Sequence, residues 1–126
     1  MVRYTYARQC APPAPFVHVA LRRPDGAAEA KDLPAQLDTA ADRTVIPSSL
    51  VEALSLAPMG DVLVAGFGGN ITTLPTFLLT LEIRQLPALT VKVVASPHEP
   101  YVLLGRDVLN QFRIVLDGPQ LALEIG

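Results

Sequence analysis

The chain has 126 residues, of which 50% are hydrophobic and 17% are charged, and its formal net charge is −2. That length suits one domain with its own core, and the hydrophobic share excludes an intrinsically disordered chain. The slightly acidic balance lacks the basic footprint of nucleic-acid-binding proteins, so we predict no nucleic-acid partner.

The sequence shows no sign of export or of membrane insertion. Its single cysteine, Cys10, cannot form an internal disulfide, and residues 1–10 lack the apolar core of a signal peptide. No run approaches the roughly 18–20 apolar residues that span a bilayer. We therefore expect a cytoplasmic protein with no membrane partner.

Proline content and residue alternation predict a mainly β fold. The 12 prolines and the scarcity of helical periodicity favour short strands joined by turns. Residues 1–15 are predicted to be an extended N-terminal segment, and residues 16–126 a single domain. The predicted strands lie, in chain order, at residues 16–22, 27–33, 35–37, 44–46, 61–65, from 71 onward, 76–83, 89–95, 101–104, 114–116 and 121–123.

Two short helices are predicted between these strands. Ser49 and Glu52 have the spacing of a capping box, so the first helix is expected to run through about Leu56. Residues 106–112 suit a second helix, because their apolar side chains fall on one side of it.

One acidic side chain ends an apolar run in residues 36–47, which read QLDTAADRTVIP. Asp38 is followed by the small residues Thr39, Ala40 and Ala41, which allow two backbones to approach closely. Acid–base hydrolysis of an amide needs two carboxyl groups about 3 Å apart that share one proton. The other acidic residues offer no second segment of this type. If Asp38 belongs to such a pair, the second carboxyl group must come from another copy of the chain, which requires a homodimer in which each copy supplies its Asp38.

Three segments, in order along residues 16–126, together resemble one protein family. Residues 37–43 (LDTAADR) resemble the active-site motif of retroviral-type, or retropepsin-like, aspartic proteases, commonly Leu-Asp-Thr-Gly-Ala-Asp. Residues 102–109 (VLLGRDVL) resemble the apolar–apolar–Gly–Arg segment and C-terminal helix of that family. Residues 64–69 (VAGFGG) lie where those enzymes carry a glycine-rich flap.

The resemblance implies a small closed β-barrel-like subunit with one or two short helices, active as a homodimer. It implies an aspartic endopeptidase that hydrolyses peptide bonds of a polypeptide substrate and needs no metal or cofactor. Asp38 is then the catalytic acid and base, and Thr39 makes hydrogen bonds between the subunits that stiffen the pair of carboxyl groups.

The resemblance also implies roles for residues around the cleft. Asp42 is expected beside the cleft, where it pairs with Arg106 and ties the active-site loop to the C-terminal helix, next to Gly105. Residues 1–6 and 119–126 are expected to supply interface strands. The residues expected to contact or cover bound peptide are Ala40, Ala41, Asp42, Gly66, Phe67, Gly68 and Gly69.

One position departs from the family pattern, because Ala40 stands where the family usually has glycine. Its methyl group costs about 1–3 kcal/mol if the site is tightly packed against the partner subunit or the peptide. We expect lower activity rather than none. The change also keeps open an alternative, a catalytically weak or inactive dimeric peptide-binding domain of the same fold. A third reading is an ordinary β-barrel interaction module.

Two further expectations concern the surroundings of the site. The apolar residues expected near the cleft favour apolar side chains flanking the cut, and they are Val45, Ile46, Phe67, Ile71 and Leu103. His18 and His98 lie far apart in the chain without cysteine partners, so no metal site is predicted.

Overall fold

A computed structural model describes residues 1–66 and 68–126 of the chain. The mainly β prediction is confirmed. The strands are β1 (Val2–Thr5), β2 (Phe16–Arg22), β3 (Glu29–Leu37), β4 (Val45–Pro47), β5 (Pro58–Ala65), β6 (Ile71–Ile83), β7 (Leu89–Ser96), β8 (Val102–Leu104), β9 (Ile114–Asp117) and β10 (Ala122–Ile125). The helices are α1 (Ser49–Ala53) and α2 (Arg106–Leu109).

Six strands close into a barrel, in the order β2-β3-β8-β4-β7-β6. The ring closes where the last part of β6 pairs antiparallel with β2, from Ile83 opposite Val19 to Thr80 opposite Arg22. Strand β5 pairs with the earlier part of β6. The β5–β6 hairpin therefore extends from the barrel, and the closed β-barrel expected from the resemblance is confirmed.

Alternating burial along the strands explains why this sheet closes on itself. In β2 the side chains of Val17, Val19 and Leu21 are buried, whereas His18 between them is exposed. Period-two alternation puts successive side chains on opposite faces, so one face of each strand fills the barrel interior. Each fully buried aliphatic side chain contributes roughly 1.5–3 kcal/mol relative to exposure.

Two predicted breaks between strands were wrong. A single strand, β3, runs from Glu29 to Leu37, and another, β6, runs from Ile71 to Ile83. Strand β5 also begins earlier than predicted, at Pro58. Pro34 is accommodated because β3 pairs with β8 only from Ala35 onward. At Pro34 itself, β3 pairs with β2 on one side and not with β8 on the other. A proline beyond the end of a ladder removes no hydrogen bond from that ladder.

Both helices are shorter than predicted. Helix α1 begins at Ser49 after an N-cap at Ser48 that makes no side-chain capping bond, so the predicted capping box is not formed. After α2, the amides of Gln111 and Phe112 donate to carbonyls three residues earlier, which is the bond pattern of a 3₁₀ turn. Among the described residues, neither helix has the length or hydropathy to span a bilayer.

The chain termini form a separate three-stranded sheet, in the order β1-β10-β9. Strand β10 pairs antiparallel with β1 on one edge and with β9 on the other, all within one chain. Within the described part of the chain, the unpaired edges of this sheet belong to β1 and β9. The side chains of Val115 and Leu116 on β9 are 41% and 52% exposed. A contribution of these strands to a dimer interface stays a prediction.

Candidate active site

A crossing of the chain over the end of β8 positions the candidate site. Strands β3 and β8 run parallel, with Leu37 opposite Leu104, so Asp38 and Gly105 follow at neighbouring strand ends. Strand β8 lies between β3 and β4 in the sheet. Residues 38–44, here called the active-site loop, therefore pass over the end of β8 to reach β4.

Gly105 makes this crossing possible. A Cβ atom at position 105 would lie 2.5 Å from the carbonyl carbon of Arg43 and 2.9 Å from the amide nitrogen of Thr44. Side chains do not tolerate such distances to backbone atoms, and only glycine lets two backbones approach this closely. The Gly105 amide also donates to the Thr44 hydroxyl at 3.1 Å.

The Asp38 carboxylate is held by one hydrogen bond and is otherwise open. Its backbone amide donates to the Leu104 carbonyl at 3.0 Å, which fixes the start of the loop on β8. Its Oδ1 accepts from the amide of Ala40 at 3.1 Å. An ionised carboxylate has roughly four acceptor positions. Among the described residues no other donor reaches this carboxylate, so most of its capacity remains for a substrate, a water molecule or a second carboxyl group.

Arg106 ties the active-site loop to α2, which is the pairing that the family resemblance implied. Its guanidinium forms an ion pair with Asp42 and donates through Nη1 to the Thr39 carbonyl at 2.8 Å. Its backbone amide donates to the Ala41 carbonyl at 2.9 Å. The Asp42 and Arg106 side chains are 85% and 44% exposed. Exposed ion pairs contribute at most about 1 kcal/mol, so this contact orders the loop more than it stabilises the fold.

A buried network behind the loop was missed by the sequence reasoning. Asp107 Oδ2 accepts from the Thr44 amide at 3.0 Å, and Oδ1 accepts from the Thr44 hydroxyl at 2.8 Å and the Val108 amide at 2.9 Å. Thr44 is fully buried. The available signal was an acidic residue in the first turn of a predicted helix, where carboxylates bond to free amides.

A cleft of about 380 Å³ lies between the active-site loop and β5. The predicted residues Ala40, Ala41 and Asp42 line it. The sequence reasoning had not singled out Arg43 or Val94, nor β5 itself, as parts of this wall. The complete lining is Ala40, Ala41, Asp42, Arg43, Val45, Val62, Leu63, Val64, Ala65 and Val94.

The apolar residues expected near the cleft divide into two groups. Val45 lines the cleft, but Ile46 is fully buried in the barrel core, so that prediction was wrong. The reason is that neighbouring residues of a strand point to opposite faces. Leu103 is half-buried and Ile71 is exposed, and neither belongs to the cleft lining.

The predicted flap corresponds to the tip of the β5–β6 hairpin. The Gly66 amide donates to the Asn70 carbonyl at 2.8 Å, closing the tip. Gly68 and Gly69 have φ angles of +88° and +80°, a conformation that favours glycine. These glycines lie beyond the cleft wall, which β5 forms with residues 62–65. The prediction for Phe67 falls outside the described residues.

Potential metal ligands are not gathered in the described part of the chain. Across residues 1–66 and 68–126, no group of three His, Cys, Asp or Glu side chains is placed to hold an ion. His18 and His98 are both exposed.

Comparisons with known proteins agree with this geometry. A family model described as "gag-polyprotein putative aspartyl protease" matches residues 25–111. The Gag-Pro polyprotein of Human T-cell leukemia virus 2 is 34% identical over 82 residues, which are 61% of this chain and 13% of the polyprotein. The chain thus spans a small part of that relative.

Solved structures share the fold at low sequence identity. A retropepsin-like aspartic protease from Rickettsia conorii aligns over 98% of this chain and 87% of its own, with a TM-score of 0.65 and 14% identity. EIAV protease in complex with the inhibitor HBY-793 aligns over 78% of this chain and 86% of its own, with a TM-score of 0.53 and 22% identity.

Proposed function

We propose that this chain, which belongs to the retropepsin-like family of aspartic proteases, hydrolyses peptide bonds. The observation that carries the proposal is the state of the Asp38 carboxylate. Asp38 follows the buried residues Ala35 and Leu37 at the end of β3, its carboxylate accepts one hydrogen bond from the described residues, and it lies two positions before the cleft-lining residues 40–43. Asp42, the other acid of the loop, is engaged by Arg106.

The active species is a homodimer in which Asp38 of each subunit contributes one carboxyl group. Two carboxyl groups about 3 Å apart share one proton, because both cannot be ionised together. The ionised group takes a proton from a bridging water, and that water attacks the scissile carbonyl. The protonated group hydrogen-bonds to the carbonyl oxygen and donates its proton as the tetrahedral species forms. In the second step one carboxyl group gives its proton to the amide nitrogen while the other takes a proton from a hydroxyl of the tetrahedral species, so the C–N bond breaks, the amine leaves and the pair again holds one proton.

The Thr39 hydroxyl forms a hydrogen bond between the two subunits of the proposed dimer. The Thr39 carbonyl is already engaged by Arg106, whereas the exposed hydroxyl forms no hydrogen bond with the described residues. The hydroxyl is therefore free to bond to the partner subunit. Such a bond restricts the motion of the two active-site loops and keeps the carboxyl groups in register.

The polypeptide substrate lies in the cleft between the active-site loop and β5. The wall is formed largely by short aliphatic side chains, among them Val45, Val62, Val64 and Val94. A wall of this composition favours aliphatic side chains next to the cut, since burial of apolar surface supplies most of the binding energy. The glycine-rich tip at Gly66, Gly68 and Gly69 covers the bound peptide.

A cleavage assay tests the proposal. Denatured protein substrate is incubated with wild type and with Asp38→Asn between about pH 4 and 7, and cleavage should be faster toward the acid end, where the dyad keeps its shared proton. A matched control, Asp32→Asn, makes the same substitution at an exposed site away from the cleft. We expect new termini between apolar residues with wild type and the control only. Equal cleavage by wild type and Asp38→Asn would overturn the assignment.

The second candidate is a dimeric peptide-binding domain of the same fold, favoured by one observation. The exposed Ala40 lines the cleft with a methyl group where the family usually has glycine. Binding without cleavage then requires that Asp38→Asn still binds peptide as tightly as wild type, while neither protein cuts it. Fluorescence anisotropy with labelled peptide, alongside the cleavage assay, separates the two candidates.

A further inference from the structure

Arg43 lines two cavities, the cleft and a second one. Arg43 lines the 380 Å³ cleft and also an adjacent cavity of about 360 Å³. The second cavity contains another cation, Lys92, on the exposed side of β7. The remaining lining of the second cavity is Leu89, Thr90, Val91, Asp107 and Gln111.

The charges around this junction are unevenly compensated. Asp42 is paired with Arg106, and both oxygens of Asp107 accept hydrogen bonds from Thr44 or Val108. Within the part of the chain that the structure describes, neither Arg43 nor Lys92 forms an ion pair. The second cavity is thus lined by two cations and one acid, and the carboxylate of that acid already accepts three hydrogen bonds. An approaching anion meets a net positive charge there.

The backbone of Arg43 is fixed more firmly than that of an ordinary surface arginine. Its carbonyl group packs against Gly105, and the next residue, Thr44, is anchored by Asp107 on one side and by the Val94 amide on the other. The Arg43 side chain therefore starts from a fixed backbone and lines the cleft beside the aliphatic wall. A guanidinium suits a carboxylate, because its planar fork donates two parallel hydrogen bonds.

We infer that Arg43, assisted by Lys92, is a specificity-determining residue that selects an acidic side chain in the substrate, at a position flanking the aliphatic residues at the cut. The inference rests on the proposed function, since it assigns a preference to the same cleft. It concerns the side chain that is recognised and not the cleavage chemistry.

Paired peptides test this preference. Each pair carries aliphatic residues at the cut and differs only by Glu or Gln at one flanking position, scanned along the peptide. We expect kcat/KM to favour Glu by roughly fivefold at one position, the scale of a rim ion pair, and the preference to shrink as salt rises. Arg43→Gln should bring the Glu-to-Gln ratio close to one, Lys92→Gln should lower it partly, and Arg43→Lys, which keeps the charge but loses the planar fork, should retain only part of it.

The control variant is Arg84→Gln, which removes an exposed cation from a different groove of the barrel. It should leave the Glu-to-Gln ratio unchanged. A wild-type ratio of one at every position, or an unaltered ratio in Arg43→Gln, would overturn the inference while leaving the protease assignment intact. Thermal unfolding of each variant verifies that it is folded.

A binding assay distinguishes failure of the inferred Glu preference from failure of the proposed protease function. The same peptides are titrated into Asp38→Asn by fluorescence anisotropy, which requires no turnover. Tighter binding of the Glu peptide without cleavage by wild type supports the inference and rejects the proposed function. Cleavage by wild type with no preference for Glu in either assay supports the proposed function and rejects the inference. Neither binding nor cleavage of any peptide would reject both.

Discussion

Asp38 and Asp107 lie close to the ends of two neighbouring parallel strands, yet their carboxylates differ in the number of hydrogen bonds that they accept. Asp107 accepts three hydrogen bonds, two of them from the fully buried Thr44. Asp38 accepts one, from the amide two residues further along. The Asp107 carboxylate fastens the active-site loop to α2, whereas the Asp38 carboxylate keeps most of its acceptor positions open. From this difference in donors we expect a structural role for Asp107 and a chemical role for Asp38.

The largest expected effect comes from Asp38→Asn, on activity. The substitution removes the ionisable group of the dyad, so cleavage should fall by about 10³-fold or more, within the range typical of general acid–base groups. Stability should change by less than about 1 kcal/mol, because asparagine can still accept the Ala40 amide. Peptide cleavage and urea unfolding, run on the same preparations, measure both. A large loss of stability would show that Asp38 is structural after all.

Asp107→Ala should show the reverse pattern, with stability as the primary loss. The change leaves the Thr44 amide and hydroxyl without their acceptor, and unsatisfied buried groups cost about 2–4 kcal/mol together. Urea unfolding should report this loss, whereas Asp61→Ala, at an exposed position without a positive φ, should change stability little. The contrast between the two aspartates would collapse if Asp107→Ala were as stable as wild type.

The barrel was predictable from the sequence because alternation along a strand is repeated over many residues. The segment 16–22 was predicted and found with the same limits. The ion pair of Arg106 with Asp42 spans 64 residues of sequence, and only the family resemblance brought its partners together. The family resemblance did not indicate the Thr44–Asp107 network. It depends on the close backbone crossing at Gly105, and a crossing is a property of the whole fold.

The errors have the same origin. Sequence reasoning treated Pro34 as a boundary, but β3 continues through it because β8 is not yet alongside at that residue. The predicted capping box at Ser49 and Glu52 does not form, since α1 starts after Ser48 without a side-chain cap. In both cases the local preference is worth about 1 kcal/mol or less, and the packing of neighbouring elements outweighs it.

Arg106→Gln should produce an intermediate effect that falls more on activity than on stability. It removes the ion pair with Asp42 and the hydrogen bond to the Thr39 carbonyl, both exposed. Stability should fall by about 1 kcal/mol or less, and kcat by roughly tenfold as the loop loses its register. Steady-state kinetics and urea unfolding measure the two effects. An unchanged kcat would show that Asp38 is positioned without help from α2.

Ala40→Gly should raise activity modestly by restoring the residue that the family usually has. Removal of the methyl group opens the cleft next to Asp38, so kcat/KM should rise a few-fold, the equivalent of about 1 kcal/mol. Stability should fall by roughly 0.5–1 kcal/mol, because glycine increases the freedom of the unfolded chain. The measurements are peptide kinetics and urea unfolding. Weaker cleavage by the glycine variant would show that the methyl group takes part in binding.

The smallest expected effect concerns a third aspartate, Asp25, at the tip of the β2–β3 hairpin. A hydrogen bond from Arg23, together with one from the Ala27 amide, lowers the pKa of Asp25 from 3.8 to about 2. Because the folded pKa lies below the unfolded one, the ionised group stabilises the fold above pH 3.8, and this stabilisation is lost as pH falls towards 2. The contribution is small, since the pair is exposed and screened by solvent. Asp25→Asn should therefore lower the urea midpoint slightly at neutral pH and leave it equal to that of wild type near pH 2. An Asp25→Asn midpoint that differed equally at both pH values would mean that the turn geometry, and not the charge, sets its contribution. Asp25 would then join Asp107 as a carboxylate used for structure alone.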